Sequence, residues 1–74
     1  MEVGSVDIGL DYVDRMLLVN IDTNVMSVTV ALSFNSNDAR DSFVQRNLSR
    51  IMDLSKDEEF RKALNTLFRK IVYG

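Results

Sequence analysis

Apolar and polar residues alternate in two neighbouring stretches of the N-terminal half of the chain. Residues 15–34 read RMLLVNIDTNVMSVTVALSF. The apolar residues at every second position form two series: Leu17, Val19 and Ile21, then Met26, Val28, Val30, Leu32 and Phe34. Alternation with a period of two is typical of a strand with one buried face. The pattern therefore predicts a β-hairpin over residues 15–34.

The turn sets which residues face each other in this hairpin. A two-residue turn at Thr23-Asn24 would place Ile21 opposite Met26 and would bring both apolar series to one face of the sheet. A slip of one residue would instead turn one series towards water. The length of the turn and the hydrophobic pattern therefore agree.

A third series of alternating residues precedes the hairpin. Apolar Val6, Ile8, Leu10 and Tyr12 alternate with Asp7, Gly9 and Asp11 and predict a first strand over residues 5–12. A two-residue turn at Val13-Asp14 would place Leu10 opposite Leu17 and so join the same apolar face. The N-terminal half is therefore predicted to be a three-stranded antiparallel β-meander.

Helical spacing replaces alternation in the second half of the chain. The run Asn35-Ser36-Asn37-Asp38 supplies N-cap side chains for a helix over residues 38–53. A second helix over residues 56–72 follows Ser55, which forms an S-x-x-E capping box with Glu58. The second helix carries apolar residues at i, i+3, i+4, i+7 and i+8 intervals: Phe60, Ala63, Leu64, Leu67, Phe68, Ile71 and Val72.

Together these elements predict an α+β domain of order β-β-β-α-α, with two amphipathic helices packed on one face of the sheet. A chain of 74 residues provides one domain, 1–74. Gly4 and Ser5 favour a flexible N-terminus over residues 1–4. No signal peptide and no apolar run long enough to span a bilayer are recognisable, and the lack of cysteine fits the cytoplasm.

The composition of the chain excludes several kinds of catalytic and metal-binding site. The chain contains no histidine and no cysteine, which removes the usual triads and the commonest zinc ligands. Carboxylates occur at predicted turns and at a helix start, where they have structural reasons to lie, and the glycines form no phosphate-binding loop. We expect a protein that is not an enzyme and has no cofactor or metal.

Two surfaces could instead bind a macromolecule. The sheet face opposite the helices would carry small or apolar residues where charge is ordinary, among them Met16, Leu18, Thr29 and Ala31. Asn47 is the one polar residue within the apolar arc of the first helix. It would either cap a neighbouring loop amide or fix the register between subunits.

The alternative partner is nucleic acid, bound through basic helical faces. Its candidate residues are Arg46, Arg50, Arg61, Lys62, Arg69 and Lys70. Residues 1–34 carry a net charge of −4 and residues 35–74 a net charge of +2. We favour a non-enzymatic protein–protein interaction module, such as an inhibitor, adaptor or assembly factor, that forms a homodimer; the small size suits an accessory protein of a virus or phage.

Overall fold

The computed structural model describes residues 2–74 and confirms the predicted order of elements. Three strands form one antiparallel sheet of order β1-β2-β3, and two helices follow. The elements are β1 (Val6–Val13), β2 (Met16–Thr23), β3 (Ser27–Ser33), α1 (Asn37–Asp53), a 3₁₀ turn (Leu54–Lys56) and α2 (Glu58–Tyr73). The chain is thus an α+β domain with both helices on one side of the sheet.

The two faces of the sheet are those that the alternation predicts. The inner face, which lies under the helices, carries Val6, Ile8, Leu17, Val19, Ile21 and Val28, and the outer face carries the residues between them. Val6 and Ile21 pack with Leu64 and Phe68 of α2, and Phe68 is only 1% exposed. Leu17 is completely buried, and Val44 of α1 is also buried.

The turn between β1 and β2 lies one residue later than predicted. Val13 pairs with Met16, so the turn residues are Asp14 and Arg15, and Leu10 faces Val19 rather than Leu17. Arg15 has a φ of 57°, a left-handed conformation that costs a non-glycine residue free energy. Contacts with the start of α1 hold it there: the Arg15 amide donates to Asn37 Oδ1 at 2.7 Å.

The turn between β2 and β3 is also shifted by one residue. Ile21 faces Val28 rather than Met26, and the loop residues are Asn24 and Val25. The Thr23 hydroxyl determines this position, because it donates to the Met26 carbonyl at 2.7 Å and accepts from the Val25 and Met26 amides. Each shift changes the pairing by two positions, so every side chain stays on its predicted face.

The helix starts agree with the prediction for α1 and correct it for α2. Ser36 caps α1 by accepting from the Ala39 amide at 3.0 Å. The predicted capping box at Ser55 is wrong, because Asp57 caps α2 by accepting from the Phe60 amide at 2.8 Å. Ser55 lies in the 3₁₀ turn, and its hydroxyl donates to the Met52 carbonyl.

Two substitutions distinguish Asp57 from Ser55 as the N-cap of α2. Asp57→Ala should lower the free energy of unfolding by about 1 kcal/mol, because the first amides of α2 lose their acceptor and the helix dipole loses a favourable charge. Ser55→Ala is the matched control and should cost less than about 0.5 kcal/mol. Urea unfolding of both variants measures the difference, and an equal or larger loss for Ser55→Ala would contradict the assigned cap.

Specific contacts hold residues 2–4, at the N-terminal end of the chain, against the rest of the fold. Val3 is buried in the same cluster as Phe68, and its amide donates to Asn65 Oδ1 at 2.7 Å. Glu2 accepts from Arg69 at 2.6 Å, and the Gly4 amide donates to Asn24 at 2.8 Å. Flexibility of residues 1–4 stays a prediction, and Met1 lies outside the described residues.

The molecule is flat and extended for its size. Its principal extents are 40 × 24 × 15 Å, and its radius of gyration is 13.5 Å, whereas a compact chain of this length has about 11 Å. Its accessible surface is 5100 Å², while a monomer of its mass exposes about 4600 Å². The fold therefore leaves roughly 500 Å² more surface in water than a typical monomer of this mass.

Candidate protein interface

The outer face of the sheet bears an apolar cluster at one end. Val13 pairs with Met16 across β1 and β2, and Leu18 pairs with Ala31 across β2 and β3. We call these four residues the outer apolar cluster. Met16 and Leu18 are half-buried, Ala31 is exposed, and Val13 is 48% exposed. Both helices pack on the inner face, so the cluster faces solvent.

Polar and acidic side chains fill the rest of the outer face. Asn20 lies at its centre, donates to Asp11 at 2.6 Å and accepts from the Thr29 hydroxyl at 2.9 Å. This chain of hydrogen bonds links all three strands. Asp7 and Asp22 are exposed and lie directly opposite each other, an arrangement that destabilises a sheet through like-charge repulsion.

The structure thus divides the predicted surface into two parts. Met16, Leu18 and Ala31 belong to the outer apolar cluster, whereas Thr29 is engaged in the hydrogen-bond chain of Asn20. The predicted Thr23-Asn24 turn would pair Met16 with Ala31 and Leu18 with Thr29. In the structure Met16 lies opposite Ser33 and Leu18 lies opposite Ala31. Val13 was not among the predicted surface residues, because the hydrophobic pattern placed it in a turn and the structure places it in β1.

Asn47 lies on the half-buried side of α1, away from the outer apolar cluster. Its side-chain amide donates to the Phe43 carbonyl one turn earlier in the same helix, at 2.9 Å. The amide nitrogen of Asn47 is thus engaged within its own helix, and its capping of a loop amide stays a prediction. A role between subunits stays a prediction.

The helices contribute further exposed apolar side chains. Leu48 and Met52 lie one turn apart on α1, and Leu67 and Ile71 lie one turn apart on α2. Over residues 2–74 nine large apolar side chains are exposed by more than two fifths: Tyr12, Val13, Val30, Leu48, Met52, Leu67, Ile71, Val72 and Tyr73. Single exposed apolar residues are ordinary on a protein surface, and only larger contiguous apolar patches mark a binding site.

The six candidate nucleic-acid residues do not form one free basic surface. Arg61 pairs with Glu58, Lys62 lies 3.9 Å from Glu59, and Arg69 pairs with Glu2. Arg46 and Arg50 are neighbours on the exposed side of α1, and Lys70 lies near the end of α2. Half of the predicted cations are thus partly neutralised by neighbouring carboxylates.

A shallow pocket of about 140 Å³ lies where the 3₁₀ turn and the start of α2 meet β1. Three of its charged lining residues already have partners, since Asp57 caps α2 and Glu58 pairs with Arg61. Within residues 2–74, no three acidic side chains are grouped as metal ligands. Over the same residues, neither helix combines the length and the apolar character that crossing a bilayer requires.

Comparisons with known proteins returned no relatives. No protein-family model, no curated protein and no solved structure matches the chain.

Proposed function

We propose that this protein is a small, non-enzymatic protein–protein interaction module of the cytoplasm, acting as an inhibitor, adaptor or assembly factor and forming a homodimer. The observation that carries the proposal is the outer apolar cluster, which both helices leave uncovered. Contiguous apolar patches on a protein surface often mark a site where another protein binds.

The surroundings of the outer apolar cluster indicate the chemistry of its partner. Asp11 pairs with Leu18 across the strands, and Asp7 and Asp22 follow further along the same face. The partner is therefore a protein with a flat apolar patch bordered by lysine or arginine. Basic side chains placed there would relieve the repulsion between Asp7 and Asp22, and complementary charge would also speed the encounter.

Nucleic acid is the less favoured partner. Phosphate contacts require cations that are free to neutralise the backbone, and Arg61, Lys62 and Arg69 already face carboxylates. The acidic outer face would repel a polyanion.

The proposal is tested by affinity capture from a native lysate of the source organism, with three baits compared side by side. The wild-type chain should retain a protein partner, and Leu18→Lys should lose it, because a charged side chain replaces an apolar contact in the outer apolar cluster. Leu48→Lys is the matched control on α1 and should retain the partner at the wild-type level.

The salt dependence of the capture gives a second measurement. Release of the partner should become easier as salt rises, because the acidic residues contribute to its attraction. If the wild-type bait captures no protein, or if Leu18→Lys captures as well as the wild type, the proposed binding surface is wrong.

A further inference from the structure

The last three turns of α2 carry a ridge of apolar side chains that the sheet does not cover. Ala63, Leu67 and Ile71 recur at intervals of four residues and therefore lie one above the other on the helix. All three are exposed, Leu67 by 44% and Ile71 by 60%. We call these three residues the α2 ridge. The core side of the same helix is formed by Leu64 and Phe68, so the ridge is a second apolar surface.

The charged residues beside the α2 ridge are placed so that opposite charges would meet if two α2 helices packed against each other. Glu59 precedes it and Lys70 accompanies its last turn, and the helical repeat places both on the same flank. If two α2 helices pack antiparallel about an axis near Asn65, Glu59 of each lies beside Lys70 of the other. In a parallel pair these residues would lie on opposite sides of the contact.

The sizes of the ridge residues fit the same arrangement. An antiparallel pair centred near Asn65 places Ala63 of one helix opposite Leu67 of the other, so a small residue accommodates a large one. The contact is then isologous, as a two-fold dimer requires. Ala63 and Leu67 therefore match in size, while Ile71 lies at each end of the contact, opposite Glu59 of the other helix.

The extra surface of the molecule gives the scale of the contact. If each copy buried the roughly 500 Å² by which its surface exceeds that of a typical monomer, the pair would bury about 1000 Å² in total. That is the smallest area expected of a specific interface. The contact therefore lies at the low end of the sizes that specific interfaces have.

We propose that a second copy of this chain packs on the α2 ridge. The two α2 helices run antiparallel, and the two-fold axis crosses them at the level of Asn65 along the helix. The inference rests on the homodimer of the proposed function and names the surface that forms it. The outer apolar cluster lies on the opposite side of the sheet from the helices and is left free for a different protein.

Sedimentation equilibrium with a matched pair of variants tests this surface. Leu67→Lys should raise the dissociation constant of the dimer at least about tenfold, because it places a charge in the apolar contact. Leu48→Lys on α1 makes the same change at a leucine that is also 44% exposed, and it should leave the dissociation constant unchanged. Circular dichroism confirms that both variants are folded.

Two charge variants test the antiparallel arrangement. Glu59→Lys and Lys70→Glu should each weaken their own homodimer, because like charges then meet across the contact. An equimolar mixture should form a heterodimer of at least wild-type affinity, because every Lys then meets a Glu. This recovery is independent of any change that each variant makes to the stability of α2.

The outcomes separate this inference from the proposed function. A wild-type chain that stays monomeric at hundreds of micromolar overturns the dimer and the ridge, while partner capture through Leu18 is unaffected. A dimer that Leu67→Lys leaves intact, or that shows no recovery in the mixture, overturns the ridge alone. Loss of capture by Leu18→Lys, with the dimer intact, supports two separate surfaces.

Discussion

Phe68→Ala is expected to lower the free energy of unfolding by about 3–5 kcal/mol. Phe68 is 1% exposed and belongs to the buried cluster that unites Val3, Val6 and Ile21 with Leu64. Truncation removes its buried ring and leaves a cavity between α2 and the sheet. A small domain without disulfides or metals rarely has more than about 3–5 kcal/mol of stability from its core, so the variant should be largely unfolded at room temperature.

Leu48→Ala is the control for Phe68→Ala. Leu48 is also a large apolar helical residue, but it is 44% exposed, so its truncation should cost less than about 1 kcal/mol. Far-ultraviolet circular dichroism as a function of urea measures both changes. A Phe68→Ala chain that unfolds at the wild-type midpoint would show that α2 does not pack through this face.

The second large expected loss of stability is that of Leu17→Ala, and comparison with Leu18→Ala distinguishes the two faces of β2. Leu17→Ala should cost about 2–5 kcal/mol, because Leu17 is completely buried on the inner face of the sheet. Leu18→Ala makes the identical change one residue later, on the outer face, and should cost less than about 1 kcal/mol.

These neighbouring leucines test the strand orientation directly. A reversal of side-chain orientation in β2 would exchange the two results, and equal costs would mean that both faces of the sheet are covered. The same denaturant titration measures both variants, and the wild-type slope should be retained, since neither change alters the surface exposed on unfolding by much.

The faces of the sheet were predictable because successive residues of a strand point to opposite faces. The face of each residue therefore depends only on whether it lies an odd or an even number of positions from its apolar neighbours. Both turns moved by one residue, yet Leu17 and Ile21 stayed on the inner face, since each shift changed the pairing by two positions. The turns themselves depend on tertiary contacts. Asn37 and Arg40 of α1 hold the Asp14-Arg15 turn, and Arg40 donates to the Val13 carbonyl at 2.6 Å.

The start of α2 was mispredicted for a different reason. Ser55 and Asp57 both have side chains that can cap a helix, and the capping-box pattern favoured Ser55. The 3₁₀ turn continues the chain beyond α1 by three residues, so Asp57 reaches the position where it can accept from the Phe60 amide. Nothing in the spacing of apolar residues reveals such a turn.

The candidate surfaces were only partly visible in the sequence. Alternation placed Met16 and Leu18 on the outer face, but the role of Asn20 depends on its alignment with Asp11 and Thr29 across three strands. The apolar arcs of the helices were recognisable, whereas the division of α2 into a buried side and the α2 ridge depends on the angle at which the helix meets the sheet.

The buried cluster joins the two ends of the described chain, and this has a consequence for biosynthesis. Val3 and Phe68 share one core, and the Val3 amide binds Asn65. A ribosome releases the three strands before the helix that covers them, so their inner face stays open until residue 68 has emerged. The three strands cannot complete this core by themselves, so the sheet reaches its final packing only after α2 has been synthesised.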